Sequence, residues 1–316
     1  MQTERLPPTL EGLARAARLL ADGRTVAMPT ETVYGLAGDA RNGLAVARIF
    51  EAKGRPAFNP LIVHLPDLDS ARRIAVFDPE AEALAMAFWP GALTLVLPLR
   101  AESGIAPLVS AGLPTVAVRV PAHPAAQALL RRFGGPLAAP SANASGRISP
   151  TSADHVLDPE GGLSGRIAAV LDAGPCPVGV ESTIIGWPGG QATLLRPGGI
   201  PAEAIEAALG RRLARHEPDP GGPSAPGQLA SHYAPKATLR LNAATPRQGE
   251  THITFGQPGR FSLSEHGDLT EAAANLFEML RRADREGKPI AVAPIPEHGL
   301  GTAINDRLRR AAAPRP

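Results

Sequence analysis

Apolar residues along this chain recur alternately at helical and at strand spacing. "TLEGLARAARLLADG" predicts an amphipathic helix opened by Thr9 and closed at Gly23, and the short strand "RTVAMP" follows it. "GLAVARIFEAKG" predicts a second helix and "PLIVHL" a strand. Helical "DLDSARRIAV" and "DPEAEALAMAFW" come next, then strands in "ALTLVLPL" and "TVAVRVP", a helix in "PAAQALLRRFG" and a strand in "GPLAAPS". Beyond them lie helical "SADHVLDPE", strands near "IAAVLDAG", "ESTIIGW" and "ATLLRPG", and the helix "AEAIEAALGRRL". The irregular alternation predicts one large α/β domain with a mixed sheet.

Residues 214–235, "ARHEPDPGGPSAPGQLASHYAP", carry five prolines and three glycines without periodicity and predict a connector. After it, "ATLRLN", "THITFG", "LTEAAANLFEMLRRADREG", "PIAVAPI" and "GTAINDRLRRAAA" alternate strand and helix, as a small open parallel sheet does. A length of 316 residues agrees with two domains. No apolar run reaches the roughly 18 residues of a membrane helix, and the N-terminal stretch lacks the apolar core of a secretory signal, so a cytoplasmic setting is expected.

Composition adds three constraints. The lone Cys176, in "GPCPVG", cannot form an internal disulfide and is read as a small packed thiol. A net charge of +2 with 4% aromatic residues tolerates an anionic ligand without announcing a nucleic-acid binder. Only three of the 32 basic residues are lysines, Lys53, Lys236 and Lys288, so Lys53 hints at a site that wants a compact ammonium.

There is no P-loop, no dinucleotide-binding glycine pattern, no Cys/His cluster with zinc spacing and no assignable Ser/His/Asp set. What remains is a series of polar stretches at strand ends, where open α/β sheets bind ligands. Lys53, Arg55, Arg119 and Arg196, with nearby Thr, Ser and Asn, describe a cationic, hydroxyl-rich cleft suited to a nucleoside triphosphate. Taken singly, each stretch has a plainer reading. "TVAVRV" is an ordinary strand, "LLRPGG" a turn, His64 a satisfied core histidine, "SANASG" a loop and "HYAP" a linker anchor.

In order, however, "PTETVYGL", "KGRPAFNPLIVH", "WPGALTLVL", "TVAVRVPAHP", "PLAAPSAN", "GVESTII" and "LLRPGGI" resemble the YrdC-like threonylcarbamoyl-AMP synthase family, and "PGQLASHYAPK" with the small α/β tail resembles its two-domain form. The resemblance implies a YrdC-like twisted mixed sheet with helices over residues 9–213 and a small Rossmann-like α/β C-terminal domain over 236–316, and the stiffness of the Pro-rich linker makes 214–235 an expected lid across the ATP site. It implies a nucleotidyltransferase: ATP, L-threonine and bicarbonate give threonylcarbamoyl-AMP and pyrophosphate, the first step of tRNA threonylcarbamoyladenosine modification. Magnesium is expected with ATP, with no protein ligand assigned. A downstream threonylcarbamoyl transferase, and through it tRNA, are the expected indirect partners.

Carried onto this sequence, the family's motifs put Thr32, His64, Arg119, Ala139 and Ser182 on threonine. Lys53, Arg55, Asn59, Thr115, Ser141, Asn143, Ser149, Arg196 and Tyr233 fall to ATP, with Lys53 and Arg55 as the catalytic cations. The competing readings are a YrdC-like RNA-binding module, a carbamoyl transferase on the same fold, and a threonine or nucleotide sensor.

Overall fold

The computed structural model describes residues 2–215 and 232–314. Most of the connector, and therefore most of the expected lid, lies outside the described residues. Among them an eleven-stranded mixed sheet runs, in spatial order, through Glu4–Leu6, Ala169–Leu171, Val26–Met28, Gly35–Asp39, Leu137–Ala138, Ile62–His64, Thr115–Arg119, Leu93–Pro98, Thr183–Gly186, Thr193–Arg196 and Ala214–Arg215. A second sheet of four strands, Leu239–Arg240, Ile290–Val292, Thr251–Thr254 and Phe261–Ser262, is wholly parallel.

The helices start where the sequence places capping side chains. Thr9, Asn42, Asp67, Asp78 and Asp268 each accept a hydrogen bond from a first-turn amide of the helix that follows. Helix Gly43–Lys53 stops at Gly54, whose left-handed φ of 60° turns the chain into "RPAFNP". Among the described residues no helix is long and apolar enough to cross a membrane.

Three elements depart from the sequence expectation. Glu4–Leu6 forms an edge strand parallel to Ala169–Leu171. "GLAGD", Gly35–Asp39, is a strand despite two glycines and an aspartate, because it is paired on both sides, by Val26–Met28 and by Leu137–Ala138. Ala214–Arg215, in the stretch read as connector, pair in parallel with Thr193–Leu194.

Leu36, Ile49, Leu61, Leu84, Leu93 and Val118 belong to the large core between the sheet and its helices, and Leu13, Leu20, Val26, Met28 and Leu129 to a second layer under helices Leu10–Ala21 and Pro124–Phe133. The core of the four-stranded unit is not private. Val33, Ile148 and Val180 pack into it with Leu276, Phe277, Ile304 and Leu308, and Tyr233 lies among them. The close approach shows at Gly179, where a Cβ would stand 2.3 Å from the Ala273 carbonyl oxygen.

Candidate active site

Strands Ile62–His64 and Thr115–Arg119 are parallel and in register, so His64 and Arg119 end side by side. Val26–Met28 pairs antiparallel with Gly35–Asp39, and the loop between them, "PTETVY", lies over the same sheet ends. Thr30 knots this loop: its hydroxyl accepts from the amides of Thr32 and Val33 at 3.2 Å each, donates to the Val33 carbonyl at 2.6 Å and stands 2.8 Å from the Thr32 hydroxyl. Tyr34 is an anchor. Its ring is fully buried, and its hydroxyl donates to the Gly174 carbonyl at 2.8 Å.

A small pocket of about 50 Å³ sits at these strand ends. Thr32, His64, Arg119, Ala139 and Ser182, all five residues expected on threonine, line it. So do Arg55, Ser141, Arg196 and Tyr233 of the ATP set. Lys53, Asn59, Thr115, Asn143 and Ser149 do not. Thr115 begins the strand that Arg119 ends, roughly 13 Å away at a strand's rise per residue.

The electrostatics divide the cavity in two. At one end Arg119 Nη2 donates to Glu31 Oε1 at 2.5 Å and Nε to the Gly91 carbonyl at 3.2 Å, while Glu31 Oε2 accepts from the Ala122 amide at 3.0 Å. Burial alone would raise the Glu31 carboxyl, but Arg119 outweighs it and holds the pKa below the usual carboxylate range. Burial, with Arg119 alongside, pushes His64 down to about 3, so its imidazole is neutral. At the other end Arg196 donates through Nε and Nη2 to the Ser182 carbonyl at 3.1 and 2.8 Å, and Ser182 Oγ stands 2.7 Å from Thr94 Oγ1. Burial lowers the Arg196 and Arg55 guanidiniums to about 10, which leaves both charged at neutral pH.

Lys53 has another place than its expected one. Its ammonium donates to the carbonyls of Ser141 at 2.5 Å and Asn143 at 2.6 Å, and its own carbonyl accepts from the Ser145 amide. It thus clasps "SANAS" from behind. Asn143 does the same from within, donating to the carbonyls of Ala144 and Arg147. Ser149 Oγ donates to Glu181 Oε1 at 2.5 Å.

Sequence reasoning passed over Glu31, Glu181 and His232. All three fall inside quoted motifs, but their roles depend on partners far along the chain: Glu31 and Arg119 are 88 residues apart, and Glu181 meets Arg307 across 126. His232 and Tyr233 wall the cavity. The His232 amide donates to the Arg310 carbonyl at 3.2 Å and the Ala234 amide to the Gly146 carbonyl at 2.9 Å, so this strap is tied to both units.

Comparison with known proteins agrees with this architecture. A family described as "Telomere recombination" matches residues 18–198, and one described as "Threonylcarbamoyl-AMP synthase, C-terminal domain" matches residues 200–313. A threonylcarbamoyl-AMP synthase of Bacillus subtilis is 42% identical over 340 residues, covering 99% of this chain and 96% of the relative. One from Pyrococcus abyssi is 43% identical over 324 residues, covering 94% and 93%. The crystal structure of P. abyssi Sua5 complexed with L-threonine superposes with a TM-score of 0.87 at 38% identity, over 99% of this chain and 98% of that one. With its two matched parts in the same order and nearly its whole length covered, the chain belongs to the two-domain threonylcarbamoyl-AMP synthase family.

Proposed function

We propose that this cavity binds L-threonine at its Arg119 end and ATP toward its Arg196 end, and forms threonylcarbamoyl-AMP between them. The observation that carries the reading is that two buried guanidiniums, Arg119 and Arg196, from the ends of two strands of one sheet with two others between them, line a single hydroxyl-rich pocket. Arg119 suits the threonine carboxylate, with neutral His64 and Thr32 beside it. Ser141, Arg55, Arg196 and Tyr233 suit the nucleotide.

The chemistry needs position more than a nucleophilic side chain. The threonine amine adds to bicarbonate with loss of water, giving the N-carboxy carbamate. A carbamate oxygen then attacks the α-phosphorus, the bond to the β-phosphate oxygen breaks, and pyrophosphate leaves. Pre-organised orientation lowers such a barrier by roughly 7–11 kcal/mol, and Arg55 and Arg196 neutralise charge on the leaving group. Lys53 reaches a phosphate only if its ammonium lets go of Ser141 and Asn143; where it stands, it shapes the loop that presents Ser141. Magnesium is not given a protein site: among the described residues no three His, Cys, Asp or Glu side chains are grouped to hold an ion. The carboxylate nearest the nucleotide end, Glu181, is already held by Arg307 and Ser149. The metal is therefore expected to travel with the triphosphate.

A cavity of about 50 Å³ has room for a few water molecules and not for a nucleotide. His232 and Tyr233 line it, and their moving aside and back as ATP binds would fit the lid reading of the linker. A cytoplasmic setting and hand-over of the product to a threonylcarbamoyl transferase acting on tRNA belong to the same proposal. The test is incubation with ATP, L-threonine and bicarbonate, with detection of pyrophosphate and threonylcarbamoyl-AMP. Product that needs all three supports the reading. ATP turnover indifferent to threonine sinks it in favour of a carbamoyl transferase.

A further inference from the structure

The helix Leu300–Ala312 of the four-stranded unit sends one side chain into the neighbourhood of the nucleotide end, and it is a charged one. Arg307 is fully buried. Its Nε donates to Glu181 Oε2 at 2.7 Å and its Nη1 to Asp306 Oδ2 at 2.6 Å, while its Nη2 has no partner among the described residues. The guanidinium carbon lies over the Tyr233 ring, 5.3 Å from its centre. Tyr233 needs such support, because its φ of 62° is a left-handed conformation unfavourable for an aromatic residue. On its other flanks are Phe277, stacked at 5.6 Å, and His232 at 4.0 Å.

Two of the residues read as nucleotide contacts meet this one cation, and a third acts beside it. Ser149 reaches it through Glu181, Tyr233 through its ring face, and Arg196 shares its influence on the Glu181 carboxyl. Burial would raise that carboxyl, yet Arg307 and Arg196 hold it down at about 2, so Glu181 stays an anion that can accept from Ser149. A fully buried arginine with an unpaired donor is costly as a plain structural strut. It makes sense where two acids and an aromatic ring have to be fixed in one arrangement, which a planar fork does and an ammonium does not.

We propose that Arg307 is a positioning residue for the nucleotide half of the active site, through which the C-terminal unit orients Glu181, Ser149 and Tyr233 against ATP. This rests on the assignment of Arg196 and Tyr233 to ATP. It makes the C-terminal unit part of the catalytic centre rather than an anchor for the linker.

The test is steady-state pyrophosphate release by full-length Arg307→Met and Arg307→Lys, with ATP and threonine varied separately, beside threonine calorimetry on the same samples. Arg307→Met raises KM for ATP by about tenfold or more and leaves the threonine affinity within about twofold. Arg307→Lys, which keeps the charge near Glu181 but loses the fork and the flat face, raises KM for ATP severalfold while remaining folded. The pair Arg307→Met with Glu181→Gln removes the stranded charge and recovers melting temperature without recovering KM for ATP.

Should Arg307→Met fail to fold, Arg307→Lys decides. A folded Arg307→Lys with unchanged KM for ATP overturns the inference, as do parallel losses of ATP and threonine binding that track the melting temperature. Arg196→Met separates this from the underlying assignment. If KM for ATP rises in Arg196→Met and not in the Arg307 variants, only the role of Arg307 is wrong. If it rises in none of them, the assignment of the nucleotide end falls too.

Discussion

Glu31 holds Arg119 with one oxygen and the Ala122 amide with the other, so the side chain expected to grip a carboxylate is itself oriented by one. Arg119→Lys keeps a charge opposite Glu31 but cannot present Nε and both terminal nitrogens in one plane. It is expected to weaken threonine about tenfold or more with KM for ATP nearly unchanged, and calorimetry with each ligand alone measures the difference; equal losses move Arg119 out of the amino-acid end. Arg119 and His64 came from the family resemblance, because at the end of a short apolar run each taken singly reads as an ordinary strand cation and a core histidine. Glu31 was not legible, since nothing in "PTETVYG" tells which distant cation its acid will meet. The same holds for Lys53, a rare lysine expected on phosphate, whose ammonium donates instead to the carbonyls of Ser141 and Asn143. Two buried histidines carry a prediction about pH. Burial holds His64 and His232 near a pKa of about 3, against about 6.5 in the unfolded chain. Below pH 6.5 the unfolded state therefore binds protons that the folded state refuses, and stability falls as pH drops, by up to ~1.4 kcal/mol per pH unit for each histidine. Urea titrations at pH 7.5 and 5.5 check this, and equal unfolding midpoints count against it.

At the scale of elements, the turn "RPGG" after strand Thr193–Arg196 lies flat against strand Thr183–Gly186. A Cβ on Gly198 would come within 2.3 Å of the Glu181 carbonyl oxygen and 2.4 Å of the Thr183 nitrogen, both backbone atoms that cannot swing away. Gly198→Ala is expected to cost about 1–3 kcal/mol through overpacking and, by displacing Glu181 and Ser182 together, to weaken both ligands. Gly43→Ala is the contrast, because nothing stands within 4 Å of its Cβ and it opens a helix. That change is neutral or stabilising by up to ~1 kcal/mol. Thermal melting of the two variants side by side decides, and a Gly198→Ala protein as stable as the parent would show that the turn can lift. Elements with period and caps, such as Leu10–Ala21 and Leu269–Asp284, could be read from the sequence because their apolar stripes and capping side chains agree. Gly35–Asp39 could not. A strand of "GLAGD" has no propensity to show, and it exists because partners on both sides complete its hydrogen bonds and Gly38 leaves room for Ile49, whose Cδ1 would stand 3.1 Å from a Cβ there.

At the scale of the molecule, the question is how far the large sheet stands without the small one. The sequence marks the division by composition, through the prolines and glycines of the connector, but composition cannot show that the second unit's core borrows Val33, Ile148 and Val180 from the first. Nor can it show that Arg307 is the cation opposite Glu181. A chain ending at Arg215 keeps both layers of the large core and the Arg119 end of the cavity. It exposes those three apolar side chains, each worth about 1.5–3 kcal/mol when buried, and it leaves Glu181 without Arg307, a change of the kind that costs about 3–5 kcal/mol when a buried pair is broken. The truncated chain is therefore expected to melt lower than the full one, to bind threonine nearly as well, and to lose ATP binding and product formation together. Adding Glu181→Gln to it removes the stranded charge, so it raises the melting temperature without restoring product. Calorimetry with threonine and pyrophosphate release with ATP measure the two halves independently. If the truncated chain matches the full one in both, the nucleotide end is complete within the large sheet and the C-terminal unit serves a partner outside this chain.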